Sequence, residues 1–181
     1  EYSHDPDAMV KELKEMDIER MVSVWPQISL YSENDREMKE KGLIVQSDKG
    51  VNIAMQCVED CVFYDATNPE ARKYVWEKCK QNYYDKGIKV FWLDEAEPEF
   101  AGFDYENYRF YSGTDLQTGN IFPQNYSRGF YEGMTAEGQE NVINLVRCAW
   151  TGSQRYGALV WSGDIHSNWP TLRDQICAGQ S

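Results

Sequence analysis

The sequence predicts a parallel α/β fold in a single domain. Three observations carry that expectation: short apolar runs alternate with stretches of helical periodicity, the helical stretches carry their own start and stop residues, and two apolar runs end on an aspartate. Helix, strand, helix, strand in succession is the pattern of a parallel sheet covered by helices. At 181 residues the chain can hide roughly 70% of the surface its unfolded form exposes. One domain, or part of one, is therefore expected.

The elements follow in order. Asp5 before Pro6 reads as an N-cap with proline in the first turn, and Met9, Val10, Leu13 and Met16 then recur at helical spacing. RMVSVWP is short, Val-containing and closed by Pro26, as a buried parallel strand would be. ENDREMKEKG reads as a short charged helix stopped by Gly42. In TNPEARKYVWEKCKQNYYDKG, Asn68 caps, Pro69 sits in the first turn, Gly87 ends the helix, and Ala71, Tyr74, Val75, Cys79 and Tyr83 form its apolar stripe. IKVFWLD is then a strand ending at Asp94. The segment YSGTDLQTGNIFPQNYSRGFYEG, rich in Gly, Asn, Ser and Tyr, reads as a long loop, and long loops in compact domains are usually functional. A third helix is expected from about Thr135 to Asn144, running toward LVRCAW. GALVWSGD gives a further strand ending at Asp164, and Ser167 or Asn168 caps a last helix with Pro170 in its first turn.

Composition excludes several function classes. A formal charge of −12 without any cluster of Lys and Arg argues against nucleic acid as a partner. No stretch approaches the roughly 20 apolar residues a membrane helix needs, and EYSHDPDAMVKEL lacks the layout of a signal peptide. The chain reads as soluble. Its five cysteines, Cys57, Cys61, Cys79, Cys148 and Cys177, are odd in number, and CVEDC has no second pair or neighbouring His to complete a zinc site. Structural thiols in a reducing, cytoplasmic setting are expected, with no metal and no cofactor.

The stretch FWLDEAEPEF places four acids within six positions at the end of an apolar run. A solvated surface run would account for it. The chemical reading is that Asp94 and Asp164 stand at the C-terminal rim of a parallel sheet, where active sites of parallel barrels open. Two carboxylates there are the equipment of glycoside hydrolysis, one attacking the anomeric carbon and the other protonating the departing oxygen and later activating water. Either aspartate taken alone could equally cap a helix or make a turn.

WLDEAEPE resembles the W-x-D-x-x-E segment of glycoside hydrolase family 31, the retaining α-glucosidases and α-xylosidases. RCAWTGSQRYGALVWSGDIHSNWPTLRDQICAG resembles that family's segment around its acid/base. HDPDAMVKELKEM with MVSVWPQISLYSENDREMKEKGLIV is similar to its third barrel strand and flanking helices, so the resemblance spans nearly the whole chain. It departs at Cys148, where Ser is commoner, and at AGQS in place of AGLN.

The resemblance implies that Asp94 is the nucleophile and Asp164 the general acid/base. It implies that Arg147 contacts sugar hydroxyls and helps keep Asp94 ionised, with Trp92 and Trp161 as apolar pocket walls. Glu97 would position the loop backbone, Arg155 would hold its own loop by hydrogen bonds, and His166 would be a loop residue. Trp25, at the end of the third strand, would serve the pocket rim or the core.

The implied fold is a partial (β/α)8 TIM barrel, roughly strands 3 to 6 with their helices. Residues 1–181 would form part of one catalytic barrel domain, with strands 1–2, strands 7–8 and a β-sandwich domain outside the sequence. The implied activity is exo-acting hydrolysis of terminal α-glucosidic or α-xylosidic bonds of an α-linked oligosaccharide, through a covalent glycosyl-aspartate. A non-catalytic α/β fragment or a degenerate sugar-binding module is the competing expectation.

Overall fold

A computed structural model describes residues 5–49, 55–56, 60–97 and 106–180. Cys57, within CVEDC, and Pro98, Glu99 and Phe100 of the acidic stretch lie outside those residues. Helix α1 (Pro6–Glu15) begins where the Asp5 carboxylate accepts the Ala8 N–H at 2.9 Å. Strand β1 (Met21–Val24) follows, and the chain then leaves the sheet through β2 (Gln27–Ser29), α2 (Glu33–Glu40), β3 (Gln46–Ser47), β4 (Met55–Gln56) and β5 (Asp60–Phe63). It returns through α3 (Pro69–Asn82) to β6 (Val90–Leu93). A second excursion forms β7 (Tyr108–Phe110), β8 (Gly113–Thr114) and α4 (Asp115–Thr118). Then come α5 (Phe122–Ala136), β9 (Asn144–Val146), β10 (Ala158–Val160) and α6 (Trp169–Ala178).

The expected caps act as such: the Asn68 side chain accepts the Glu70 N–H at 3.0 Å to open α3. Gly87 does not end α3, which stops at Asn82; a single 3-10 turn (Tyr84–Lys86) follows, and Gly87, at φ +101°, turns the chain from it into β6. The Asn168 side chain accepts from Thr171 at 2.9 Å to open α6.

Four strands make one parallel sheet in the order β1-β6-β9-β10. Val24 pairs with Leu93, Leu93 with Val146, and Val146 with Val160, so all four strands end at one edge. The two-residue period divides β6: Phe91 and Leu93 are buried toward the helices, while Val90 and Trp92 face the other way and stay half-buried. Against Phe91 lie Trp76 of α3 and Phe130 of α5, with ring centroids 6.3 and 5.1 Å away. Leu93, Val146, Tyr126 and Met134 complete the middle of this core, each fully buried.

The two excursions are tied to each other. Strand β3 pairs with β7 and β7 with β8, both antiparallel. Asp65, just after β5, accepts the Tyr111 N–H at 2.5 Å, and the Thr67 hydroxyl accepts the Ser112 N–H at 3.2 Å. Burial pushes the Asp65 carboxyl above its usual range despite those hydrogen bonds.

Two sequence expectations are corrected. The Tyr111–Gly133 stretch is no long loop: it holds the end of a hairpin, a short helix and most of the 15-residue helix α5. The helix expected over 135–144 does not exist; α5 ends at Ala136, and Asn144 already belongs to β9. Gly138, at φ +85°, is the physical reason for the stop. Its N–H donates to Thr135 O and the Gln139 N–H to Met134 O, the paired bonds that close a helix around a left-handed residue. Two of the four glycines that made the segment look loop-like, Gly129 and Gly133, sit inside α5 where α3 presses on them. A Cβ on Gly133 would stand 2.3 Å from Trp76 Cδ2, and one on Gly129 would stand 3.1 Å from Arg72 Cβ.

Among the described residues no helix is long and apolar enough to cross a membrane. The outer elements are open: Met21 on β1, Leu159 and Val160 on β10, and Leu172 and Ile176 on α6 are exposed, and neither α1 nor α6 buries a residue.

Candidate active site

Asp94 follows β6 directly, and the backbone fixes where it starts. Its N–H donates to Val24 O on β1 at 3.0 Å, and the same carbonyl accepts the Tyr126 hydroxyl from α5 at 2.7 Å. Asp94 is 7% exposed, and its Oδ1 is buried without a hydrogen-bond donor among the described residues.

The next residue, Glu95, is also buried and takes φ +50°, the left-handed region that side-chain-bearing residues seldom enter. Arg147 follows β9, one strand over, and its N–H donates to Leu93 O at 3.3 Å. Its guanidinium meets all three acids of the WLDEAE segment. Nη1 pairs with the Glu95 carboxylate, Nε lies 2.7 Å from Glu97 Oε1, and Nη1 is 4.0 Å from Asp94 Oδ1. Burial works against the Arg147 charge, yet Glu97, Glu95 and Asp94 together outweigh it and raise its pKa further. Before desolvation is counted, a pair of unit charges at this spacing attracts by about 4 kcal/mol near a protein surface.

Trp92 and Trp161 meet edge to face, with centroids 5.3 Å apart at 87°. Trp92 projects from the face of β6 opposite the core, and the Trp161 N–H donates to Val146 O at 2.9 Å, extending the pairing of β10 with β9. Three residues on, past Gly163 at φ +84°, Asp164 is exposed at the same end of the sheet, with β9 between its strand and that of Asp94.

The structure thus gathers Asp94, Glu97 and Arg147 into one charged cluster and joins Trp92 to Trp161. Glu97, expected to position loop backbone, instead meets the Arg147 guanidinium. Arg155 is exposed in a tight turn, Ser153–Tyr156, where its N–H donates to Gly152 O at 3.1 Å. His166 is exposed. Trp25, 42% exposed at the end of β1, lines a groove of about 640 Å³ with Ile28, Met38, Tyr74, Cys79 and Tyr83. Glu95 and Tyr126 were missed by sequence reasoning. Nothing in a charge run says which acid turns inward, and a tyrosine in a presumed loop gives no sign that it reaches a strand carbonyl. Among the described residues no three or more His, Cys, Asp or Glu are grouped to hold a metal ion.

A parallel sheet whose strand ends gather carboxylates, an arginine and paired tryptophans on one rim has the architecture of a (β/α)8 enzyme face. Residues 1–181 match the family model described as the glycosyl hydrolases family 31 TIM-barrel domain, and the chain belongs to that family. It is 51% identical over 175 residues to an uncharacterized family 31 glucosidase, ORF2, of Pseudescherichia vulneris, covering 97% of this chain and 33% of that protein. It is 34% identical over 186 residues to alpha-xylosidase A of Aspergillus niger, covering 90% of this chain and 25% of that one. A crystal structure of a GH31 alpha-xylosidase from a soil metagenome, complexed with xylose, superimposes with a TM-score of 0.91 at 57% identity, covering 97% of this chain and 26% of that one. The four-stranded sheet is accordingly a portion of a TIM barrel. The chain spans a quarter to a third of the length of these relatives.

Proposed function

We propose that this segment carries the catalytic acids of a retaining, exo-acting α-glycoside hydrolase, with terminal α-xylosyl units of oligosaccharides as the favoured substrate and α-glucosyl units as the related one. The observation that carries the reading is the common sheet edge: Asp94 ends β6, Asp164 follows β10, and Arg147 ends the strand between them. Two strand spacings amount to about 10 Å. Retention requires a carboxyl separation of roughly 5 Å, so in this reading the two side chains lean toward each other across that gap.

In this reading the Asp94 carboxylate attacks the anomeric carbon and forms the glycosyl-aspartate bond. Asp164 donates its proton to the departing glycosidic oxygen, then removes one from the water that releases the sugar. Arg147 stands beside Asp94 at ion-pair range, and the Trp92–Trp161 pair forms an apolar wall. The relatives named alpha-xylosidases support the xylosyl preference. The remaining barrel strands and a β-sandwich domain belong, we propose, to the complete protein, where they would cover the open edges of β1 and β10.

The test uses the full-length protein that carries this segment. Asp94→Asn and Asp164→Asn are each expected to remove nearly all turnover of p-nitrophenyl α-xyloside, and azide is expected to restore part of it only in Asp164→Asn, by intercepting the covalent intermediate. Wild-type turnover in either variant would refute the assignment.

A further inference from the structure

Among the described residues only Asp17 and Glu95 hold a positive φ without being glycine, and Glu95 alone of the two is buried. A buried acid in a left-handed conformation, one residue past a proposed nucleophile, is an unfavourable arrangement that needs a reason. The surrounding geometry supplies one. The left-handed turn at Glu95 brings its carboxylate to Arg147 Nη1, while Glu97, two residues on, holds Nε at 2.7 Å. The guanidinium is thereby gripped from two sides by one loop, and its backbone is fixed to Leu93 O. Asp94 Oδ1 is left at 4.0 Å, inside ion-pair range but without a hydrogen bond among the described residues.

We propose that Glu95 is a positioning residue that holds Arg147 at a standoff from Asp94. An arginine free of such an anchor closes onto the nearest carboxylate in a two-bonded fork, and that fork on Asp94 would occupy the oxygens that must attack. Glu95 and Glu97 take the strong donors instead. Asp94 keeps the field of the cation and an uncommitted oxygen. This inference rests on the hydrolase reading above and deepens it. The other groups that face the cluster are the Cys148 thiol, which burial pushes up and which feels both Glu97 and Arg147, and the buried Tyr126 hydroxyl behind Asp94.

The experiment compares wild type, Glu95→Gly and Glu95→Gln in the full-length protein, measuring kcat and KM on p-nitrophenyl α-xyloside together with the thermal midpoint. Glu95→Gly relieves the left-handed conformation, so its midpoint is expected to hold or rise. Its kcat is expected to fall roughly tenfold to hundredfold, the scale of a displacement of about 1 Å in a catalytic site. KM is expected to change little, because the loss falls on the attacking carboxylate and not on binding of the sugar. Glu95→Gln keeps an acceptor, so a smaller loss of kcat is expected, again with KM little changed. An active wild type with unchanged kcat in Glu95→Gly overturns the inference and leaves the hydrolase reading standing. If Glu95→Gly fails to fold, the same result in Glu95→Gln overturns it. A wild type inactive on both the xyloside and the glucoside overturns the hydrolase reading, and this inference with it.

Discussion

At the scale of single residues, burial and charge divide the acids of this chain into different kinds of group. Asp94, Glu95 and Glu97 share one guanidinium. Asp115, at the start of α4, differs: among the described residues its Oδ2 is buried without a hydrogen bond, and burial pushes its carboxyl up to about 6. The folded state therefore holds a proton that the unfolded chain, at its ordinary value of 3.8, has released. The stability linked to that proton is complete below about pH 4 and is lost as pH rises through 6. Asp115→Asn is expected to flatten this part of the curve, so that urea midpoints at pH 4 and pH 7 lie closer together than in wild type. An unchanged difference between the two would show that other groups set it. Asp94 and Asp164 drew attention because each follows an apolar run, whereas Arg147, Trp92 and Trp161 were singled out only by the family resemblance. Glu95 was not, since its role depends on a φ angle and on a partner 52 positions away.

Elements were legible in proportion to how much of their specification is local. Helix α3 carries its cap and first-turn proline within its own sequence, and β6 is a bare apolar run, so both were found; the start of α3 was placed correctly, whereas its end, Asn82, falls short of Gly87. Helix α5 failed because its glycines answer to another element. Gly133 exists to admit the Trp76 ring, a contact between α3 and α5 that composition cannot reveal. The substitution Gly133→Ala tests that explanation. Alanine is intrinsically the better helix former by about 1 kcal/mol, but forcing a methyl into a filled core costs about 1–3 kcal/mol, and a 2.3 Å approach to a ring carbon lies at the severe end. A net loss of roughly 1–2 kcal/mol is expected from urea unfolding. A more stable variant would mean that α3 and α5 do not pack as described.

For the whole molecule, a parallel α/β sheet with both aspartates past strand ends was readable from the alternation of elements, but the strand between theirs, β9, was not, since a helix was expected to run up to Asn144. The two excursions that cross-pair through β3 and β7 were not, because strands of two or three residues leave almost no periodic signal. Asp65 and Thr67 hold the start of the hairpin turn at Tyr111 and Ser112. The exposed residues on β1, β10 and α6 fit a portion of a TIM barrel. The central claim is that Asp94 forms a covalent bond to the sugar. It is tested most directly by treating the full-length protein with 5-fluoro-α-xylosyl fluoride, digesting it and locating the label by tandem mass spectrometry. The predicted result is one xylosyl adduct on the peptide that contains Asp94, absent in Asp94→Asn. An adduct on a different residue, or rapid turnover of the reagent to a product of inverted configuration, would contradict it.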